Sequence, residues 1–304
     1  MGATEKRWKF VVSFPGDNVY LREQTAAARA AAERLGVELQ LLNAEMDPFR
    51  QSQQLLELVQ ARPETRPHGI LLEPVSAIGL PRVAEAAVAA GIAWVVSNAP
   101  VDYIGGLRKK AKAPVFLISQ NHAEIGRMQA QQIGAILPGG GSVLYLRGPA
   151  MNAVASKRFE GLESAKPRNV EIRGLKVQST ADSSYAAVRS WLSSGMAKPE
   201  LTQMIVSQNA DFLIGAREAF EGNTEEPARS KWLNLPRAGA GTRSQMKPLV
   251  DDGTLRAAVL TSLTMGTAID MLVRAMQSGS QPPEKTFVEA DSYPSLEALA
   301  KTPA

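Results

Sequence analysis

The strongest constraint on this chain is an alternation that runs through it twice. A short apolar, β-type run ends at a polar stop and gives way to an Ala/Leu-rich helical stretch. The first series runs from Trp8 to about Ser97 and the second from Val115 to about Leu235. Strands alternating with helical patterns imply βαβ units and a parallel sheet. Two such series imply two α/β lobes with a cleft between them. In open α/β sheets ligands bind beyond the carboxyl ends of the strands, so polar residues at those ends are where function is to be sought.

Lys9 to Phe14 reads as a buried strand, broken by Pro15-Gly16-Asp17-Asn18. Tyr20 to Leu35 reads as a helix stopped by Gly36, and Val37 to Leu42 as the second strand. Asp47-Pro48 supplies an N-cap and a first-turn proline for a helix running to Val59. Gly69 to Leu72 is a short apolar strand ending at Glu73-Pro74. A helix near Leu80–Ala90 follows, then the strand Ile92–Val96 with Ser97-Asn98 at its end. Asp102 to Pro114 reads as a surface loop. In the second series Trp232–Leu235 reads as the closing strand. A last helix–strand–helix and the strand Thr286–Val288 remain, and one lobe lacks a sixth strand. A chain that returns to complete its first lobe crosses between lobes several times.

At 304 residues the chain suits two lobes of ordinary domain size. Its 44% hydrophobic and 21% charged composition describes a soluble globular protein, and no apolar run approaches the roughly 20 residues of a membrane span. The net charge of +4 is spread among 30 acids. The densest basic cluster, Arg108-Lys109-Lys110 with Lys112, lacks interleaved aromatics and reads as a solvated loop, not a nucleic-acid patch. Without cysteines there are no disulfides, thiolate metal sites or cysteine nucleophiles. The N-terminus passes straight from charge into the first strand, with no apolar leader region. The expectation is a cytoplasmic protein if the sequence is native as written, and a periplasmic one if a leader was removed.

Enzyme signatures are weak. His68 precedes a strand, at the wrong end for a cleft, and His122 lies beside a helix start; two histidines make no metal cluster. Gly139-Gly140-Gly141 precedes its strand, the wrong order for dinucleotide binding, and neither a Gly-x-Ser-x-Gly elbow nor a Walker-type loop occurs. Ala238-Gly239-Ala240-Gly241-Thr242-Arg243 reads as following a strand and opening a helix, the context of an anion cradle, but lacks the third glycine and the later acid. No cofactor and no catalytic residue is assigned.

Several stretches together carry a likeness to a known family. They are Val11-Val12-Ser13-Phe14 running into Asp17-Asn18-x-Tyr20; Asp47-Pro48 with Gln53 and Gln54; Gly69-Ile70-Leu71-Leu72-Glu73-Pro74; and Ser119-Gln120-Asn121 with Gly126. Arg158-x-Glu160-Gly161, Ser207-Gln208-Asn209 leading to Gly215-Ala216, and Asp252-Gly253-Thr254-Leu255 complete the set. In order and spacing the chain resembles the type I periplasmic binding proteins, in particular the ribose- and galactose-binding group, from about Lys9 to Pro294.

The resemblance implies two doubly wound parallel-sheet lobes joined by a three-strand hinge. The crossings fall near Ile118–Gln120, Thr261–Ser262 and Val288–Asp291. The N-terminal lobe is then 1–118 plus 262–288, and the C-terminal lobe 119–261 plus 289–304. Asp17, Asn18 and Tyr20 sit where the family grips its ligand from the first lobe, although Asp17 or Asn18 equally suits a helix cap. Glu73 could accept from a ligand hydroxyl or be a loop carboxylate. Asn98 ends a strand where the family commonly shows an aspartate followed by an arginine. In the second lobe Met151 and Asn152 start a helix, with Asn152 as ligand contact or N-cap. Ser156 holds a position often taken by a ligand-gripping arginine, and Asn209 matches a family amide, with Asp211 as that helix's cap. Gly241 replaces a usual aspartate, and Thr261 stands at the hinge where a glutamine is common.

Charge-assisted grips are about twice as strong as neutral ones, so a site of amides and hydroxyls points to a weaker or different ligand. The resemblance implies a receptor that captures a small polar ligand, a sugar or polyol, for ABC-type uptake. Its partners are the ligand and a membrane permease, with no nucleic acid, and it acts as a monomer. The alternative is a cytoplasmic ligand-sensing domain of the same fold, without a DNA-binding domain.

Overall fold

A computed structural model of the chain describes residues 7–76, 80–149, 152–178 and 180–301. The described strands sort into two six-stranded sheets, one in each of two units. The first unit comprises Met1–Gln120 and Leu263–Val288, the second Asn121–Ser262 and Glu289–Ala304, so the chain passes between them three times.

The first unit holds β1 (Lys9–Phe14), β2 (Glu38–Asn43), β3 (Gly69–Leu72), β4 (Ala93–Ser97), β5 (Val115–Gln120) and β11 (Lys285–Val288). Their order across the sheet is β11-β5-β4-β3-β1-β2, all parallel. The central strands β3, β4 and β5 are buried at every residue, as a sheet covered on both faces requires. Helices α1 (Val19–Arg34) and α11 (Met265–Ser278) pack on one face through Ala28, Ala31, Ile269 and Leu272. Helices α2 (Pro48–Gln60), α3 (Leu80–Ala89) and α4 (Ile104–Lys110) cover the other through Leu55, Val83, Ala87 and Leu107. The last of these corrects the loop expected over 102–114. Ile104 and Leu107 are buried one turn apart, and the basic cluster is the helix's last turn, with Arg108 donating to the Val115 carbonyl at 2.9 Å.

The second unit holds β6 (Gly141–Arg147), β7 (Val170–Lys176), β8 (Met204–Ser207), β9 (Arg237–Thr242), β10 (Ala257–Thr261) and β12 (Ala290–Tyr293). The order is β12-β10-β9-β8-β6-β7, parallel except for the antiparallel edge strand β12. Helices α5 (His122–Ile136), α6 (Ala153–Ala165) and α12 (Leu296–Lys301) line one face; α7 (Ala181–Ser193), α8 (Ala210–Asn223), α9 (Ala228–Asn234) and α10 (Arg243–Asp251) line the other.

Here the expected closing strand is corrected. Trp232 lies in α9, stacked on Phe220 with ring centroids 4.9 Å apart, and the strand is the Ala/Gly segment that follows. The small residues of β9 make room for two large ones. A Cβ on Gly239 would lie 2.7 Å from Leu213 Cδ1, and one on Gly241 would lie 2.8 Å from Met246 Cγ. The segment read as an anion cradle is therefore a core strand. At its end Thr242 caps α10 in a reciprocal box with Gln245, so the protein's own side chains satisfy that helix start.

Candidate functional site

At the carboxyl end of the first sheet, three residues far apart in sequence meet. Tyr20 stands in the first turn of α1, Glu73 immediately follows β3, and Asn98 immediately follows β4. The Asn98 amide donates to the Tyr20 hydroxyl at 2.9 Å and to Glu73 Oε1 at 3.3 Å. Tyr20 also accepts from Gln24 at 2.6 Å. Two acceptor atoms of this cluster, Asn98 Oδ1 and Glu73 Oε2, are buried without a hydrogen-bond partner among the described residues. Buried polar atoms are nearly always paired, so two orphans on adjacent side chains single this cluster out as the candidate site.

The cluster is held from beneath. Gln24, fully buried, donates to Thr264 Oγ1 at 3.1 Å and accepts from the amides of Thr264 and Met265. Ser97 and Thr264 share a further bond at 2.7 Å. Buried Gln51 donates to Ser13 Oγ and to the Glu73 carbonyl and accepts from the Val75 amide, fixing the backbone that carries Glu73. Neither glutamine stood out in the sequence; burial of an amide within a helix leaves no local signature.

Backbone strain gathers at the same end of the sheet. Among the described residues the non-glycine positions with positive φ are Glu45 (53°), Met46 (61°) and Asn98 (53°), after β2 and after β4. Such conformations cost of order 1–3 kcal/mol each and cluster where function requires them.

Burial pushes the Glu73 carboxyl up to about 8, with the Asn98 hydrogen bond pulling weakly the other way. The folded protein therefore keeps a proton on Glu73 that an unfolded chain, ionising near 4.5, has already lost. Between those values the folded state binds the extra proton, so this group's contribution to stability falls as pH rises. We predict that Glu73→Gln, which cannot ionise, gains stability relative to the unmodified protein as pH is raised from 4.5 through 8. Thermal unfolding of both proteins across that range checks it; a constant difference would show that Glu73 is not held neutral.

Asp17 and Asn18 take other roles. Asp17 is exposed and paired with Arg22 at 3.1 Å, and Asn18 caps α1, its Oδ1 accepting from the Leu21 amide at 2.9 Å. The capping oxygen is committed; the Asn18 amide nitrogen is the part that can face a ligand.

In the second unit the same duality recurs. Asn152 caps α6 through the Ala155 amide at 3.1 Å, and Asn209 caps α8 through the Phe212 amide at 3.0 Å. Asp211, expected as that cap, stands instead in the first turn, where its charge suits the helix dipole. Ser156 is half-buried in the first turn of α6, and Thr261 is a buried residue ending β10. Gly241 offers no side chain, and Met246 fills the space over it. Met151 lies outside the described residues.

What joins these strand ends is a network that the sequence reading did not single out as functional. Gln208 accepts from the Gly148 amide at 2.9 Å and donates to the Ala155 carbonyl at 2.8 Å. Arg158 donates to the Gln208 carbonyl and to His122 Nδ1. The network ties β6, α6 and β8 together, and His122 is a buried acceptor within it. His68 accepts from the Lys9 amide at 3.0 Å and meets Trp8 edge-on, on the amino side of the first sheet. Among the described residues no group of three or more His, Asp or Glu side chains could hold a metal ion.

A protein-family model described as "periplasmic binding protein domain" matches residues 9–280. No curated protein matches the chain in sequence. The fold is similar to a galactofuranose binding protein at 19% identity and TM-score 0.79, covering 96% of each chain. It is similar to an ABC transporter solute binding protein from Bacillus halodurans C-125, solved with myo-inositol, at 17% identity and TM-score 0.79 over 98% of each chain. A periplasmic solute binding protein from Actinobacillus succinogenes 130z, solved with D-allose, matches at 14% identity and TM-score 0.81, covering 97% of this chain and 100% of that one.

Proposed function

The chain belongs to the periplasmic binding protein family, and on that premise we propose that it is a receptor for a small, neutral, polyhydroxylated molecule delivered to an ABC-type permease. The observation that carries this is the pair of buried, unpartnered oxygens on Glu73 and Asn98, at the carboxyl end of a parallel sheet. Hydroxyl groups match both: each can donate to Asn98 Oδ1 and either donate to or accept from a neutral Glu73 carboxyl. Galactofuranose, myo-inositol and D-allose, named for the solved relatives, are compounds of this kind.

Tyr20, Glu73 and Asn98 grip from the first unit, with Asp17 and Asn18 at its margin. Asn152, Ser156, Asn209 and Thr261 serve from the second. The protein works in the periplasm as a monomer and carries out no chemistry on its ligand. The solved relatives above are solute-binding proteins rather than regulators, which favours transport over cytoplasmic sensing.

The test is a thermal-shift and calorimetric panel of pentoses, hexoses, inositols, linear polyols, nucleosides and sugar phosphates. A ligand at about a thousand times its dissociation constant adds roughly 4 kcal/mol of stability. One neutral sugar or polyol is expected to give a saturable response of that order. Responses confined to phosphorylated compounds, or none, would overturn the reading.

A further inference from the structure

A cavity lies within the second unit, at the amino end of its sheet and so at the opposite end from Asn209. It has a volume of about 570 Å³, within the range of small-molecule sites. Leu233, Leu235, Val250 and Leu255 give it an apolar wall, while Arg237, the first residue of β9, and Arg256, immediately before β10, bring positive charge. Among the described residues no acidic one lines it.

Arg237 is the unusual group. Its Nη2 donates to the Leu233 carbonyl at 3.0 Å, but Nε and Nη1 are buried with no acceptor among the described residues. It forms no ion pair there: Glu221, whose charge reaches it, is already paired with Arg217 at 2.8 Å. Nearby Asp251 is bound to Lys247 and the Tyr293 hydroxyl, and Asp252 accepts from the Thr254 amide. A guanidinium cannot shed its proton at any ordinary pH, so a half-buried one with two donors lacking acceptors and no ion pair is costly. An anion entering from the cavity would supply a counter-charge, and one of its oxygens could accept from Nε or from Nη1, which lie on different edges of the guanidinium plane.

We propose that this cavity is a second ligand site, distinct from the polyol site, that takes a small organic oxyanion with an apolar body. The oxyanion pairs with Arg237, after a side-chain adjustment that uncovers Nε or Nη1, and the apolar body lies along the leucines. The proposal does not depend on what the first site binds.

The test follows the Nε–H resonance of Arg237 in the ¹⁵N-labelled full chain, assigned with Arg237→Lys. The titrants are benzoate, inorganic phosphate and the neutral analogue benzyl alcohol, at constant ionic strength set with chloride. Benzoate is expected to move the resonance saturably and to raise the melting temperature; benzyl alcohol is expected to do neither. In Arg237→Lys the benzoate-dependent rise in melting temperature should fall at least tenfold in apparent affinity, with the response to the first site's polyol unchanged. A saturable response to phosphate equal to that of benzoate would still place an oxyanion on Arg237 but remove the apolar-body requirement, overturning that part. No saturable response to either anion, or one that benzyl alcohol or chloride reproduces, would overturn the site.

Discussion

Replacing Asn98 by alanine is expected to abolish ligand-induced stabilisation and to lower folding stability by about 2–5 kcal/mol. Two separate effects add. The amide's bonds to Tyr20 and Glu73 are lost, leaving buried atoms unpaired at about 1–3 kcal/mol. In addition, alanine must occupy a left-handed backbone position, with φ of 53°, that costs an ordinary residue roughly 1–2 kcal/mol. Asn98→Gly separates them, because glycine adopts that φ freely but carries no side chain. The glycine variant should recover about 1 kcal/mol relative to alanine in urea unfolding while remaining equally defective in ligand binding. If Asn98→Gly bound ligand like the unmodified protein, the amide would have no part in recognition.

The second large effect is expected where two helices cross. Helices α5 and α6 approach so closely that a Cβ on Gly126 would stand 1.9 Å from the Arg158 carbonyl oxygen; one on Gly161 would stand 2.0 Å from that of Ala123. Alanine in place of either glycine gains up to about 1 kcal/mol in helix propensity. Against that, the obstacle is backbone rather than a side chain that can swing aside, so the helices must part. Overpacking of this kind costs typically 1–3 kcal/mol and sometimes more, and it wins over propensity. Gly126→Ala should therefore lose about 2 kcal/mol or more in urea unfolding. The Arg158 and Gln208 network, which hangs from the same helix pair, should loosen with it and weaken ligand binding. A variant as stable as its parent would show that the helices do not cross at this distance.

Much of the architecture was legible because its determinants are local. Gly69-Ile70-Leu71-Leu72 is apolar at every position between polar stops, and it is a strand buried at every position. Asp47-Pro48 carries both halves of a helix start, and the aspartate accepts from the Phe49 and Arg50 amides. The segments misread were those where composition answers to a neighbour. β9 is rich in alanine and glycine because Leu213 and Met246 press on it, so it lacks the β-branched residues that announce a strand. The antiparallel strand β12 carries Asp291 and Ser292 at an edge, where polar residues are tolerated.

The candidate site was legible in part, for a related reason. Strand ends could be located, and with them Glu73 and Asn98. The chain alone could not say whether an asparagine at a helix start caps the helix or meets a ligand. Both tasks use the same side chain, and at Asn18, Asn152 and Asn209 the capping oxygen proves to be engaged.

The sequence by itself determined most of the alternation of strands and helices and most helix starts, since these follow from periodicity, capping chemistry and turn residues within a few positions. Only the tertiary structure decided which polar atoms are satisfied. Asn98 meets Tyr20 across 78 residues and Glu73 across 25, and Gln24 meets Thr264 across 240. Whether a buried oxygen has a partner depends on what other segments bring to it, and no local pattern records that. The unpaired oxygens of Glu73 and Asn98, and the unpaired Nε and Nη1 of Arg237, exist only once the chain is folded, because burial removes the water that would otherwise satisfy them.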